Sequence, residues 1–283
     1  MSDRIVVAGA APLLEALAAA LPTWSRNTLR QRLRLGCVAV DGVTALRPDQ
    51  PVAAGAVVTI APEAAARRAA AAADGLPVLF VDDELCAIDK PPGLLSVGSD
   101  DERERTAHAL LRAQLGGGDL WPAHRLDRET SGVLLFARTR AAKDAVQAAW
   151  PRAEKVYEAV VAGALRPPAG VVDQPLWEDR NLFVRVGAHP EARPAVTRYR
   201  TLARGGGLSH VEVRLDTGRK HQIRAHLAWL GCPVVGDARY GERGPRLLLH
   251  AAELAFDHPA DGRRVLVRAP APAAFARALR PGG

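Results

Sequence analysis

Residues His124–Thr139 read HRLDRETSGVLLFART, with charged side chains crowded at both ends and an apolar run between them. Asp127 sits between Arg125 and Arg128, just ahead of a Thr-Ser-Gly turn. A carboxylate in that setting can act as nucleophile, as general base or as metal ligand. Two flanking arginines favour its ionised form, which suits attack better than proton donation. The turn leads directly into GVLLFA, a continuous apolar run that reads as a strand buried on both faces. Asp127 therefore stands at the mouth of a rigid element, where a reactive group can be held accurately.

Other chemistries find little support. His221 and His226 are five residues apart, which does not put two ligands on one helical face, and no HExxH occurs. Cys37, Cys86 and Cys232 are far apart, with no CxxC pair, so they read as buried thiols rather than a zinc site or disulfide framework. Neither GxGxxG nor GxxxxGK[ST] is present.

The 283-residue chain is 48% hydrophobic and 24% charged, enough to bury a large core in about two domains. Its formal net charge is +7, and four of its 38 basic residues are lysine, leaving 34 arginines. A basic chain favours a polyanionic partner, and the planar guanidinium suits phosphates and bases. No apolar run approaches the roughly 20 residues that span a bilayer. Acidic Asp3 and Glu15, with helically spaced leucines between residues 13 and 21, argue against a signal peptide. A soluble, cytoplasmic, monomeric protein with no membrane partner is the expectation.

The elements that must hold such a site can be read from patterning. Residues 12–61 form a small unit: PLLEALAAAL is helical, and SRNTLRQRLRLG is a helix capped by Ser25 and stopped by Gly36. Leu29 and Leu33 mark its apolar side, while Arg26, Arg30 and Arg34 lie on another stripe. CVAVDGVTA alternates around an Asp41-Gly42 turn, and PVAAGAVVTI adds one more strand. Residues 62–76 are alanine-rich and read as a linker, giving domains over 1–61 and 77–283.

Beyond it, PVLFVDDELCAID predicts two strands around an acidic turn, ending in KPPGL. RTAHALLRAQLGG and TRAAKDAVQAAW predict helices, the second capped by Thr139. EKVYEAVVAG, SHVEVRLDTG, RLLLHAAELAF and RRVLVRAP predict strands. GRKHQIRAHLAWLG predicts an amphipathic helix with Ile223, Leu227 and Leu230 inward and Gly231 at its end. The fold class is α+β, with a mixed, mostly antiparallel central sheet flanked by helices.

HRLDRETSG resembles the HRLDxxTSG signature of the RluA-type pseudouridine synthases. Other segments resemble that family in the expected order: LFVDDELCAIDKPPGLLSV (79–97), EKVYEAVVAG (154–163), LDTGRKHQIRAHLAWLGCPVVGDARYG (215–241) and LLLHAAELAFDHPADG (247–262). The unit over 12–61 resembles the alpha-L (S-four) RNA-binding domain. Phe136 replaces the smaller residue often found in the family, a change of packing.

The resemblance implies an enzyme that isomerises uridine within RNA to pseudouridine, without cofactor or metal. It makes Asp127 the essential carboxylate, by ring addition, by attack on the anomeric carbon (acylal route) or through a glycal. Arg125 would enter the RNA stack in place of the flipped nucleotide, whose extrusion costs a few kcal/mol. Tyr157 would stack on the uracil and help remove the proton from ring carbon 5. Arg224, about 100° round the helix from Ile223, would pair with Asp127, and Ile223 would pack beneath the base. His124 would hold the Asp127 loop. Lys90 would touch phosphate or cap its own loop, and Arg26, Arg30 and Arg34 would meet RNA. The N-terminal RNA-binding domain favours 23S ribosomal RNA over transfer RNA. Two other readings compete: a non-catalytic RNA-binding or ribosome-assembly factor, and a hydrolase. The set Asp127, Tyr157 and Arg224 disfavours the first. A glycosidase needs a second carboxylate flanking the bond, and none is marked out.

Overall fold

The computed structural model describes residues 3–34, 37–41, 43–45, 48–60, 75–98 and 106–280. Residues 3–60 contain β1 (Asp3–Val6), β2 (Ala11–Pro12), α1 (Leu13–Ala20), α2 (Arg26–Arg34), β3 (Val38–Val40), β4 (Val43–Thr44), β5 (Pro51–Val52) and β6 (Val57–Ile60). The apolar spacing in the two helices works as expected. Leu13, Leu14 and Leu17 meet Leu29 and Leu33 in one buried cluster, closed by Val38, Val58 and Ile60. Ser25 caps α2 by accepting the Thr28 N–H at 3.0 Å. PVAAGAVVTI differs from expectation. It is two short strands, β5 and β6, because Gly55 at φ 84° turns the chain between them. Gly36, Gly42 and nearly all of the expected linker lie outside the described residues.

The larger sheet is built from β7 (Val78–Val81), β8 (Leu85–Lys90), β9 (Trp121–Pro122), β10 (Ser131–Ala137), β11 (Glu154–Ala162), β12 (Ala169–Asp173), β15 (Val196–Gly205), β16 (Leu208–Leu215), β17 (Leu249–Asp257) and β18 (Arg264–Arg268). Its main path runs β12-β15-β16-β11-β17-β10-β8-β7. A two-stranded hairpin, β13 (Leu176–Glu178) and β14 (Val184–Val186), stands apart from it. The helices are α3 (Ala107–Gln114), α4 (Arg140–Ala149), α5 (Gln222–Trp229) and α6 (Ala273–Ala278). Thr106 and Thr139 cap α3 and α4 through the Ala109 and Ala142 amides. The region between residues 164 and 207, which carries no clear pattern, supplies β12 to β15.

Two features position the site. Every residue of β10 is buried, as its unbroken apolar run requires. Its first two residues pair in parallel with β17, Ser131 with His250 and Gly132 with Ala251, whereas its other pairings are antiparallel. The backbones come so close that a Cβ on Gly132 would lie 2.2 Å from the Ala251 carbonyl oxygen, and Gly132 has φ 111°. Only glycine fits. Ser131 Oγ bonds His250 Nδ1 at 2.9 Å and accepts from Arg246 at 2.9 Å, which fastens the same seam.

α5 is the second. It is buried all round rather than amphipathic: Gln222 through Leu227 are all buried. Ile223 and Leu227 pack on the sheet, while Ala225 packs against the β13–β14 hairpin. His226 bonds Thr197 at 2.8 Å and the Gln174 carbonyl at 3.0 Å, a structural role.

Gly132→Ala should cost about 3 kcal/mol or more, combining left-handed strain with overpacking at a backbone contact. Urea unfolding of the full chain measures it.

Candidate active site

A cavity of about 650 Å³ opens beside the β10 seam. Its walls come from the 124–130 loop, from Tyr157 on β11 and from the 218–224 segment entering α5. Asp127 lies in that wall with its side chain 30% exposed.

The carboxylate is held from across the sheet. Arg224 Nη1 donates to Asp127 Oδ2 at 3.2 Å over a sequence separation of 97 residues. The expected pair is thus within salt-bridge distance, with Arg224 as a cation at this carboxylate. Arg224 has a stronger partner that sequence reasoning missed. Its Nε and Nη2 donate to the two oxygens of Asp237 at 2.7 and 2.8 Å, a bidentate pair. The Asp237 side chain is fully buried and also accepts the amides of Arg239 and Tyr240 at 2.9 and 3.1 Å. Burial pushes the Asp237 carboxyl up, but the bonds and charge of Arg224 and those two amides outweigh it and hold it below the ordinary carboxylate range. Tyr240 supplies a ring face 5.2 Å from the guanidinium. The signal was present in GDARYG, whose Asp and Tyr were noticed as a motif but given no role.

Tyr157 and Ile223 line the same cavity. Burial, and then the charge of Asp127, push the Tyr157 phenol well above its ordinary value. The hydroxyl therefore keeps its proton near neutrality and is no phenolate base. Arg125 is exposed at the rim, and its side chain makes no hydrogen bond or ion pair among the described residues. It is free to enter a nucleic-acid stack.

His124 and Lys90 act on the loop. His124 Nε2 accepts the Leu135 amide at 3.1 Å, and its ring stacks on Trp150. Burial pulls the imidazole down to about 4, with Lys155 adding to the effect, so the ring that lines the cavity is a neutral anchor. Lys90 was offered for phosphate or for its own loop. It is fully buried, and its Nζ donates to the carbonyls of Pro91, Leu94 and Arg128 at 3.0, 2.7 and 3.0 Å. All three ammonium protons are taken, so Lys90 ties the KPPGL loop to the Asp127 loop and has none left for phosphate.

The three N-terminal arginines are on α2, and neither Arg26 nor Arg30 is among the residues that line this cavity. Arg26 is engaged by Glu15 at 2.9 Å and Arg30 is exposed, while the Arg34 side chain lies outside the described residues. Among the described residues no group of three or more His, Cys, Asp or Glu could hold a metal ion, and no helix is long and apolar enough to cross a membrane.

Asp237→Asn should destabilise the fold by about 3–5 kcal/mol, because it leaves a buried guanidinium half paired. The folded-state pKa of Asp237 is depressed, so its contribution is present above the unfolded value and is lost as pH falls through the folded one. Denaturant unfolding at several pH values should show the gap between wild type and variant closing below about pH 4.

Comparison with known proteins agrees with this architecture. The family model described as RNA pseudouridylate synthase matches residues 84–229. An uncharacterized RNA pseudouridine synthase of Chloroflexus aurantiacus is 38% identical over 93% of this chain and 87% of its own length. Ribosomal large subunit pseudouridine synthase D of Pseudomonas aeruginosa is 33% identical over 97% of this chain and 95% of its own. The solved structure of human RNA pseudouridylate synthase domain containing 4 superposes with a TM-score of 0.61 at 28% identity, covering 75% of this chain and 95% of that one.

Proposed function

The chain belongs to the RNA pseudouridylate synthase family, and on that premise we propose that it acts on uridine in large-subunit (23S) ribosomal RNA with Asp127 as the catalytic carboxylate. The observation that carries the reading is the Asp127–Arg224 pair at 3.2 Å in the wall of a 650 Å³ cavity. The cavity has room for one extruded nucleoside.

The chemistry needs no external reagent. The bond between the anomeric carbon and ring nitrogen 1 breaks, the uracil turns, and the anomeric carbon bonds to ring carbon 5. The proton on that carbon is lost and nitrogen 1 gains one, so the reaction is an isomerisation. Asp127 meets the nucleoside in whichever of the three routes applies. Arg224 holds it in orientation, and Asp237 holds Arg224. Tyr157 offers a ring for stacking, worth about 1–3 kcal/mol per base. Ile223 closes the floor, and Arg125 fills the gap left in the RNA.

Ribosomal RNA is favoured by several relatives named as ribosomal large subunit enzymes that match nearly the whole chain. Residues 1–61 are proposed as an RNA-binding domain joined through residues 62–76 to a catalytic domain over 77–283. Their separate buried cluster and the exposed Arg30 on α2 support that division.

Pseudouridine mapping of RNA from cells lacking the protein, complemented with wild type or Asp127→Ala, tests the proposal. A 23S pseudouridine restored only by wild type is expected. A site lost only from transfer RNA would overturn the substrate, and rescue by Asp127→Ala would overturn the catalytic role. RNA binding should weaken steeply with salt. Arg30→Ala should weaken it and lower the salt slope by about 1, with kcat on saturating RNA unchanged, as filter binding and kinetics would show.

A further inference from the structure

Asp127 has a second neighbour that the scheme above leaves unused. His221, the residue before α5, has φ 52° and ψ 18° and makes no side-chain cap for the helix. The left-handed region is uncommon outside glycine, though histidine enters it more readily than most side chains. Here it turns the ring into the cavity wall. Nδ1 lies 3.0 Å from Tyr240 Oη, and Nε2 lies 3.8 Å from Asp127 Oδ2.

Proton accounting fixes the ring. Tyr240 Oη accepts the Val184 amide at 3.2 Å. The contact between Tyr240 Oη and His221 Nδ1 can run in either direction; with the Val184 amide already on the oxygen, in the arrangement proposed below the phenol gives its one proton to Nδ1. Burial raises the Tyr240 phenol, so the proton stays on that oxygen. An Nδ1 that accepts leaves a neutral imidazole with its proton on Nε2, the atom facing Asp127. Burial also favours the neutral ring, and Arg224, Arg239 and Lys220 reinforce it against the pull of Asp127.

We propose that His221 is a positioning residue: its Nε2–H, in a tautomer set by Tyr240, joins Arg224 in holding Asp127 Oδ2 and leaves Oδ1 as the oxygen that addresses the uridine. The inference rests on Asp127 being the catalytic carboxylate. Both neighbours fall on the same oxygen, and Oδ1 accepts no hydrogen bond among the described residues. The 3.8 Å separation exceeds hydrogen-bond length. Catalytic bonds are commonly long without substrate and tighten in the complex. Filling the cavity brings the ring and the carboxylate together.

The test uses the full chain with transcripts of 23S ribosomal RNA and of a transfer-RNA pool, tritiated at uridine carbon 5, and follows tritium release. Tyr240→Phe keeps the ring against Arg224 and removes only the hydroxyl. His221→Asn tolerates the left-handed backbone but is too short to reach Asp127, whereas His221→Gln carries an N–H to about the position of Nε2. Tyr240→Phe and His221→Asn should each lower kcat about tenfold or more with KM within about twofold, and His221→Gln should recover part of the loss. Nitrogen-15 spectra should show His221 protonated on Nε2 in wild type and a mixture of tautomers in Tyr240→Phe.

Wild-type release by Asp127→Asn would overturn the catalytic reading beneath the proposal. A silent Asp127→Asn with wild-type kcat in Tyr240→Phe and His221→Asn would leave that reading standing and overturn this one. So would equal losses in His221→Gln and His221→Asn, or a wild-type proton on Nδ1.

Discussion

One guanidinium carries the site. Arg224 is largely buried, and a buried charge without a partner costs several kcal/mol. Asp237 answers that cost with a bidentate pair, two further amides and complete exclusion from solvent. The consequence reaches Asp127. Two carboxylates share one cation, so the group of three keeps a net negative charge. Asp127 is oriented by Arg224 without being wholly neutralised by it, and its second oxygen remains open to the cavity. An arginine paired with Asp127 alone would have given up that surplus and would have moved with it.

The backbone frame is as strict as the electrostatic one. Asp127 hangs on a loop fastened at both ends. His124 fixes the start to β10, and the parallel seam at Ser131 and Gly132 fixes the end to β17. Lys90 ties the middle, through the Arg128 carbonyl, to the KPPGL loop. The opposite wall is α5, which buries Gln222 and His226. Gln222 and His226 are therefore satisfied by Thr197, Thr217 and backbone carbonyls, and those bonds set the rotation that aims Arg224 at the cavity. Both walls are rigid for different reasons: close backbone approach on one side, and hydrogen-bonded burial on the other.

Local physics made much of this legible from the chain alone. The Thr139 cap of α4, the Ser25 cap, the unbroken apolar run of β10 and the leucine spacing of α1 and α2 are decided within a few residues, and they appear where expected. The identity of the candidate residues was legible too, since Asp127, Tyr157, Ile223 and Arg224 all reach one cavity. The strands between residues 164 and 207 were not. They are short or alternate irregularly, and their pairing depends on neighbours far along the chain.

Tertiary structure alone decided what those residues touch. α5 read as amphipathic because three apolar positions fell on one side, yet a hairpin covers its other side and Gln222 through Leu227 are all buried, leaving Trp229 exposed at its end. Lys90 could serve phosphate or its own loop, and three carbonyls brought together by separate loops took its protons. The motif that holds Asp237 was visible in the sequence, but its place beside Arg224 was not, because a turn of the chain, not a helical period, joins them. The tautomer of His221 depends on Tyr240 and on the Val184 amide, 56 residues from that tyrosine. The sequence by itself determined which groups were available and the local backbone that carries them. Partner, burial and protonation belong to the assembled fold, because they depend on charges and dielectric contributed by segments that meet only when the chain is folded.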